Sequence, residues 1–391
     1  MGLGFWQRGS PFLAQIETRV GPWLTPAEMT ALGGSFATWE SGFATPAGVH
    51  WADDGVEVFG MTGGSPGSGS GAHGGMYYGR GKIWYVQWAR TGNSTYLTRA
   101  RAQMSEFINN YIKNGEYGNN YSQAANWAMA EDVMLYYHDM TEQGDTAEAA
   151  DALDALGRMA SLWSDGYALD LMHTLNCREA AYPIRAIYWA NLLSAPSVFW
   201  TSVPDSFTQG HVSYHQHSNW TDRLAAFLNK AMDKWNATGA GSGRWNDENN
   251  ACKPFMNSLL RDSYILMYER NSGLDATYRT NLRNAIKASM DYEWANMWDV
   301  PAQAFDYSTG EVEETTPYAD LNLMISPAYA WLANYYRSIG DTANAGTYAT
   351  RHDTIFAGGV AGTDLNGSKQ FNQNYTTAFR GPAWAHGITR A

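Results

Sequence analysis

Residues 76–91, MYYGRGKIWYVQWART, run into Gly92-Asn93, and residues 95–112, TYLTRARAQMSEFINNYI, follow. The first stretch reads as an aromatic-rich helix and the second as its partner. A Gly at the junction supplies the left-handed conformation that ends a helix, and the Asn after it offers a side-chain acceptor to start the next one.

The same plan recurs along the chain. Residues 123–142 reach Gly144-Asp145, and Thr146 to Trp163 follow with Ala147, Ala150, Leu153 and Leu156 at helical spacing. A third unit starts at Arg178, breaks at Ala195-Pro196 and finds its partner near 219–235. A fourth runs from Pro254 to Arg270, turns at Asn271-Ser272-Gly273 and resumes from Ala276 to about Asn296. The fifth runs from Tyr318 to Ile339, turns at Gly340-Asp341 and continues to about Phe356. A sixth helix is expected from Tyr375 to Thr389, interrupted at Gly381-Pro382. Its partner is expected from the N-terminal segment, where Phe12 to Ile16 and Pro26 to Thr38 are periodic. Helical hairpins that each bury one face stack into an open solenoid or close into a ring, and ends able to complete one another favour closure.

The expected fold class is therefore all-α, in one domain over residues 1–391, with 1–60 as a closing segment and the Gly/Ser-rich stretch 61–75 as a loop. At 391 residues and 45% hydrophobic content, the chain has ample material for a core. With 38 acidic against 26 basic residues the net charge is −12, and the lysines are scattered singly. A phosphate-tracking protein needs a basic face, so nucleic acid is not an expected partner. No stretch reaches the roughly 20 apolar residues of a membrane helix, so no membrane partner is expected either. The residues after Met1 lack the charged and apolar regions of a signal peptide.

The aromatic load is large: 17 Trp, 24 Tyr and 14 Phe. Trp and Tyr are flat rings with a polar edge, suited to half-exposed surfaces that hold a ligand, although a large core also consumes them. With low charge and many Gly and Asn, the composition points to a carbohydrate cleft.

At this point the chain resembles the (α/α)6 toroid of six-hairpin glycosidases and related polysaccharide-active enzymes, over residues 70–391. The resemblance implies a substrate groove formed by rim loops at the starts of the inner helices. It also implies a monomeric enzyme acting on a polysaccharide or oligosaccharide, without cofactor or metal, in an extracellular or periplasmic setting.

Cleaving a glycosidic bond takes two carboxyl groups, one protonated and one ionised. Glu131 and Asp132, in Trp127-Ala128-Met129-Ala130-Glu131-Asp132, stand among apolar residues on the second inner helix. Burying them costs free energy unless they are partnered or used. Neighbours on a helix point about 100° apart, so one of the two is expected to face the cavity while the other bonds a neighbouring helix. The bland alternative is a pair of first-turn acids favoured by the helix dipole. The pair resembles the adjacent Asp-Asp of bacterial endo-1,6-α-mannanases, with Glu131 in place of the first Asp and Tyr136-Tyr137 in place of Trp-Trp.

Glu179 opens the third inner helix in Asn176-Cys177-Arg178-Glu179, and Asp53-Asp54 sit beside Trp51 and Gly55. The Asp53-Asp54 and Glu313-Glu314 segments together resemble inverting endoglucanases of the same fold, which place an aspartate base early and a glutamate acid late. The catalytic candidates are Glu131, Asp132, Glu179 and Asp54. Trp51, Asp53, Tyr78, Trp127, Tyr182, Trp245 and Asp320 are the candidates for substrate binding.

Two other readings remain open. His215 and His217, with His173, Arg178 and Tyr182, supply the neutraliser, base and acid that a lyase needs on a uronic-acid polymer. A non-catalytic glycan-binding or virion-surface protein would use the same groove. Cys177 and Cys252 each precede an inner helix and lie within reach of a disulfide if those helices are adjacent; a zinc site with His173 is the sharper alternative.

Overall fold

The computed structural model describes residues 11–54, 78–112, 129–161, 177–196, 219–237, 243–246, 251–309, 316–363, 365 and 368–391. It is all-α in these parts, apart from two two-residue strands, Trp298–Asp299 and Ala304–Phe305. The helices gather into two compact groups. The loop expected at 61–75 lies outside the described residues.

The first group holds the chain up to Asp151, with Asp299–Phe305 and Pro317–Ala391. It begins with α1 (Pro11–Val20), α2 (Pro26–Leu32), α3 (Gly34–Gly42) and α4 (Ala44–Asp54). The first hairpin follows as α5 (Arg80–Thr91) and α6 (Ser94–Glu106), then α7 (Ala130–Gln143) leads into α8 (Thr146–Ser161), which passes into the second group at Ala152. Both turns work as the residues dictate. Gly92 and Gly144 take left-handed φ of 74° and 75°. Asn93 Oδ1 then accepts the Thr95 N–H at 3.0 Å, and Asp145 Oδ1 accepts that of Glu148 at 3.1 Å.

Helix α5 is buried on nearly every side, the signature of an inner helix, and packs against α6 and α7. Trp84 Nε1 donates to Gln103 Oε1 at 2.7 Å, and Tyr85 OH donates to Asp139 Oδ2 at 3.1 Å. Asp139 in turn holds Arg101 by two bonds, of 2.7 and 2.6 Å, so α5, α6 and α7 share one polar clamp centred on the buried Asp139.

The C-terminal part of this group is α13 (Asn322–Ser338), preceded by a 3₁₀ turn at Ala319–Leu321, then α14 (Thr342–Gly362), α15 (Ser368–Tyr375) and α16 (Arg380–Ala385). The two ends of the chain complete one another. Trp39 of α3 lies 5.0 Å from the Tyr375 ring and donates its indole N–H to Asn374 O at 3.3 Å. Phe43 and His50 both reach Phe371, at 5.8 and 5.1 Å. Helix α15 also touches α5, where Arg80 Nε donates to Asn372 Oδ1 at 2.8 Å.

The second group holds Ala152–Trp298 and Asp306–Thr316. Here α9 (Cys177–Leu192) packs on both α10 (Trp220–Met232) and α11 (Pro254–Arg270), and α11 packs on α12 (Ala276–Asn296). Helix α12 buries Leu282, Ala285, Ile286, Ser289, Met290 and Glu293, one stripe at a 3.6-residue period. Helix α11 is buried almost all round. Helix α11 is thus enclosed and α12 one-sided. Between them Arg261 Nη1 meets Glu293 Oε1 at 2.7 Å, with both side chains fully buried.

Three expectations need correction. The helix expected over Pro26 to Thr38 is two helices, because Gly33 (φ 72°, ψ −169°) leaves helical geometry. The helix expected over 95–112 ends at Glu106 and continues as a π turn over Phe107–Ile112. The helix expected from Tyr375 starts at Ser368, seven residues earlier, and its second piece is the short α16.

Candidate functional site

The sequence places two acids in the first turn of α7 and a glycine-cation alternation, Gly79-Arg80-Gly81-Lys82, at the start of α5. Packing of α5 on α7 brings these together. Lys82 Nζ donates to Glu131 Oε2 at 2.7 Å, and the Lys82 backbone N–H donates to Asp132 Oδ1, also at 2.7 Å. One residue of α5 therefore contacts both acids, with one carboxyl on its side chain and the other on its main chain.

The two acids differ in exposure. Asp132 is wholly buried and Glu131 retains 7% of its surface. Among the described residues, Asp132 Oδ2 has no hydrogen-bond partner. Its carboxyl fits because two glycines leave room. A Cβ on Gly79 would stand 2.9 Å from Asp132 Oδ2, and one on Gly81 would stand 2.9 Å from Oδ1 and 2.6 Å from Met104 Sδ. Gly79 also carries φ 85°, so a side chain there is strained twice.

Burial pushes the Asp132 carboxyl up to about 7. The Lys82 charge and the Lys82 N–H oppose that rise, while neighbouring Glu131 adds to it. At neutral pH the set thus comprises a Lys–Glu ion pair and a carboxyl that is part protonated.

Glu179 occupies the corresponding place in the second group, in the first turn of α9. Arg178 Nε donates to Glu179 Oε1 at 2.6 Å, and Glu179 Oε2 is buried with no hydrogen-bond partner among the described residues. Pro183, four residues on, has no N–H to give the Glu179 carbonyl.

The remaining candidates are placed otherwise. Asp53 and Asp54 are the last two residues of α4, and their side chains lie outside the described ones. Trp51 is half-buried against the Trp84 ring at 6.2 Å, with the Arg99 guanidinium 5.0 Å from its own ring. Tyr78, Tyr182 and Trp245 are buried, where a half-exposed ligand-facing ring was expected. Trp245 meets Tyr264 edge to face, with centroids 5.8 Å apart, in the core of the second group. Asp320 sits half-buried in the 3₁₀ turn before α13. Trp127, Glu313, Glu314, His173, His215 and His217 lie outside the described residues.

Cys177 and Cys252 are free thiols, both buried, and burial raises both. The disulfide expected as one option is not formed.

Lys82 was missed as a site residue because singly scattered lysines look like solvated surface. The usable signal was its setting: a cation flanked by glycines at the head of an otherwise aromatic inner helix. No helix among the described residues is long and apolar enough to cross a membrane. Comparisons with protein-family models, with curated proteins and with solved structures gave no match.

Proposed function

We propose that the chain is a glycoside hydrolase built on an (α/α)6 toroid, cleaving a neutral polysaccharide within its chain. Support for the toroid comes from the first group, where N-terminal α3 and α4 pack on C-terminal α14 and α15, and where α15 in turn touches α5. An open solenoid has no use for such contacts between the ends of a chain.

The observation that carries the activity is the unlike pair Glu131 and Asp132. Adjacent carboxyls whose surroundings hold one in an ion pair and raise the other to about 7 have the division of labour that acid/base chemistry requires. Glu131, the more exposed, is the residue proposed to meet substrate. Glu179 is a separate candidate within the second group, where one of its carboxylate oxygens is buried without a hydrogen-bond partner among the described residues. Asp132 is enclosed, so its proposed part is to support Glu131 from behind.

A lyase draws less support, because Arg178, its proposed neutraliser, is engaged by Glu179. Extracellular action and a monomeric state belong to the same proposal. The test is incubation with a panel of neutral and acidic polysaccharides, reading new reducing ends together with ultraviolet absorbance. Reducing ends without absorbance support a hydrolase, reducing ends with absorbance replace it by a lyase, and binding without any cleavage replaces it by a glycan-binding protein.

A further inference from the structure

Lys82 stands where a cation is disfavoured twice. It is the third residue of α5, in the first turn, where the helix dipole repels positive charge. It is also buried, with 5% of its side chain exposed. Its partner Glu131 is likewise enclosed, with 9% of its side chain exposed. A buried ion pair of this kind contributes little net stability compared with apolar side chains of the same shape. Folding alone therefore gives no reason to keep it.

Among the described residues, Lys82 is the cation that bonds this carboxylate. On α5, Arg80 is turned to Asn372 and to the Phe371 ring. On α6, Arg101 is bound by Asp139, two turns further along α7. On α1, Arg19 acts on His138, again toward the far end of α7. Asp132 is the neighbouring acid on α7 itself, and the charged groups acting on it are Lys82 and Glu131.

We propose that Lys82 is a positioning residue: its ammonium holds Glu131 as the carboxylate that faces substrate, while its backbone N–H fixes Asp132 behind it. Glu131 then works as base or nucleophile and not as the proton donor. This rests on the hydrolase reading for its catalytic half; the charge pairing stands apart from it. Gly79 and Gly81 belong to the same device, because a side chain at either would push the Asp132 carboxyl away from the Lys82 N–H.

The experiment compares Lys82→Met, Lys82→Arg and the double variant Lys82→Met/Glu131→Gln with the wild type in two readouts. The first is thermal unfolding from pH 5 to 9. Lys82→Met leaves Glu131 buried without a countercharge, so its melting temperature should fall with rising pH more steeply than that of the wild type. Adding Glu131→Gln should remove the extra slope. Equal slopes in the single and double variants would overturn the pairing.

The second readout is hydrolysis. Lys82→Met should lower kcat by about 100-fold or more with KM little changed, and Lys82→Arg should recover most of that loss. Equal loss in Lys82→Arg and Lys82→Met, or a change in KM alone, would overturn positioning by charge. If Lys82→Met does not fold, Lys82→Arg and the double variant still decide the matter: an active arginine variant beside a folded, inactive double variant is the expected result. A wild type that cleaves no glycan would sink the hydrolase reading and the catalytic half with it, while the unfolding slopes still judge the pairing.

Discussion

Trp39 and Tyr375, 336 positions apart, meet with ring centroids 5.0 Å apart, and the Trp39 indole N–H reaches the main chain one residue earlier, at Asn374 O. An element from the start of the chain is thus tied to one from its end. The Arg90 guanidinium, on α5, lies 5.4 Å from the same indole, so Trp39 joins three elements.

This contact should be expensive to lose. Truncation of a buried Trp costs about 3–5 kcal/mol. Trp39→Ala should therefore lower the urea midpoint sharply at unchanged far-ultraviolet circular dichroism. A loss below about 1 kcal/mol would mean that the N-terminal helices are dispensable to the first group.

Asp132 predicts a pH dependence with a definite sign. Its folded value of about 7 lies above the unfolded value near 4, so between those limits the folded state holds a proton that the unfolded state has released. The group imposes no penalty below about pH 4, destabilises progressively up to about pH 7, and stays at its full cost above. Three units correspond to about 4 kcal/mol as an upper bound. Asp132→Asn keeps an acceptor for the Lys82 N–H and removes the charge. It should be more stable than the wild type at pH 8 and converge with it at pH 4, measured by urea unfolding at both. A variant less stable at pH 8 than at pH 4, relative to the wild type, contradicts the assignment.

Gly79 should tolerate no side chain. Gly144 and Gly79 both have left-handed φ, but a Cβ on Gly144 meets nothing within 4 Å, whereas one on Gly79 meets the Asp132 carboxyl. Gly144→Ala should cost about 1 kcal/mol from backbone strain alone, and Gly79→Ala about 2–3 kcal/mol. Equal costs would show that the carboxyl can step aside.

Much of the helical plan was legible because its signals are local. Gly92-Asn93, Gly144-Asp145 and Gly340-Asp341 mark turns by residues that act within a few positions of themselves, and Ala276 to Asn296 was delimited as found. The helix Ser368–Tyr375 was misplaced because Phe371 and Tyr375 are its only large apolar residues, while Asn372, Gln373 and Asn374, though buried, read as polar. The acids of α7 were legible as acids in an apolar setting. Their partner was not, since the Lys82–Glu131 bond spans 49 positions and exists only once α5 packs on α7. The burial of Tyr78, Tyr182 and Trp245 was equally hidden, because composition counts rings without saying which face water.

The most direct test of the hydrolase reading is the rate of reducing-end release by the wild type and by Glu131→Gln, on whichever polysaccharide the wild type cleaves. The variant should keep its fold by circular dichroism, retain substrate binding and lose about 1,000-fold or more in kcat. A folded Glu131→Gln protein that cleaves at the wild-type rate would contradict the account at its centre.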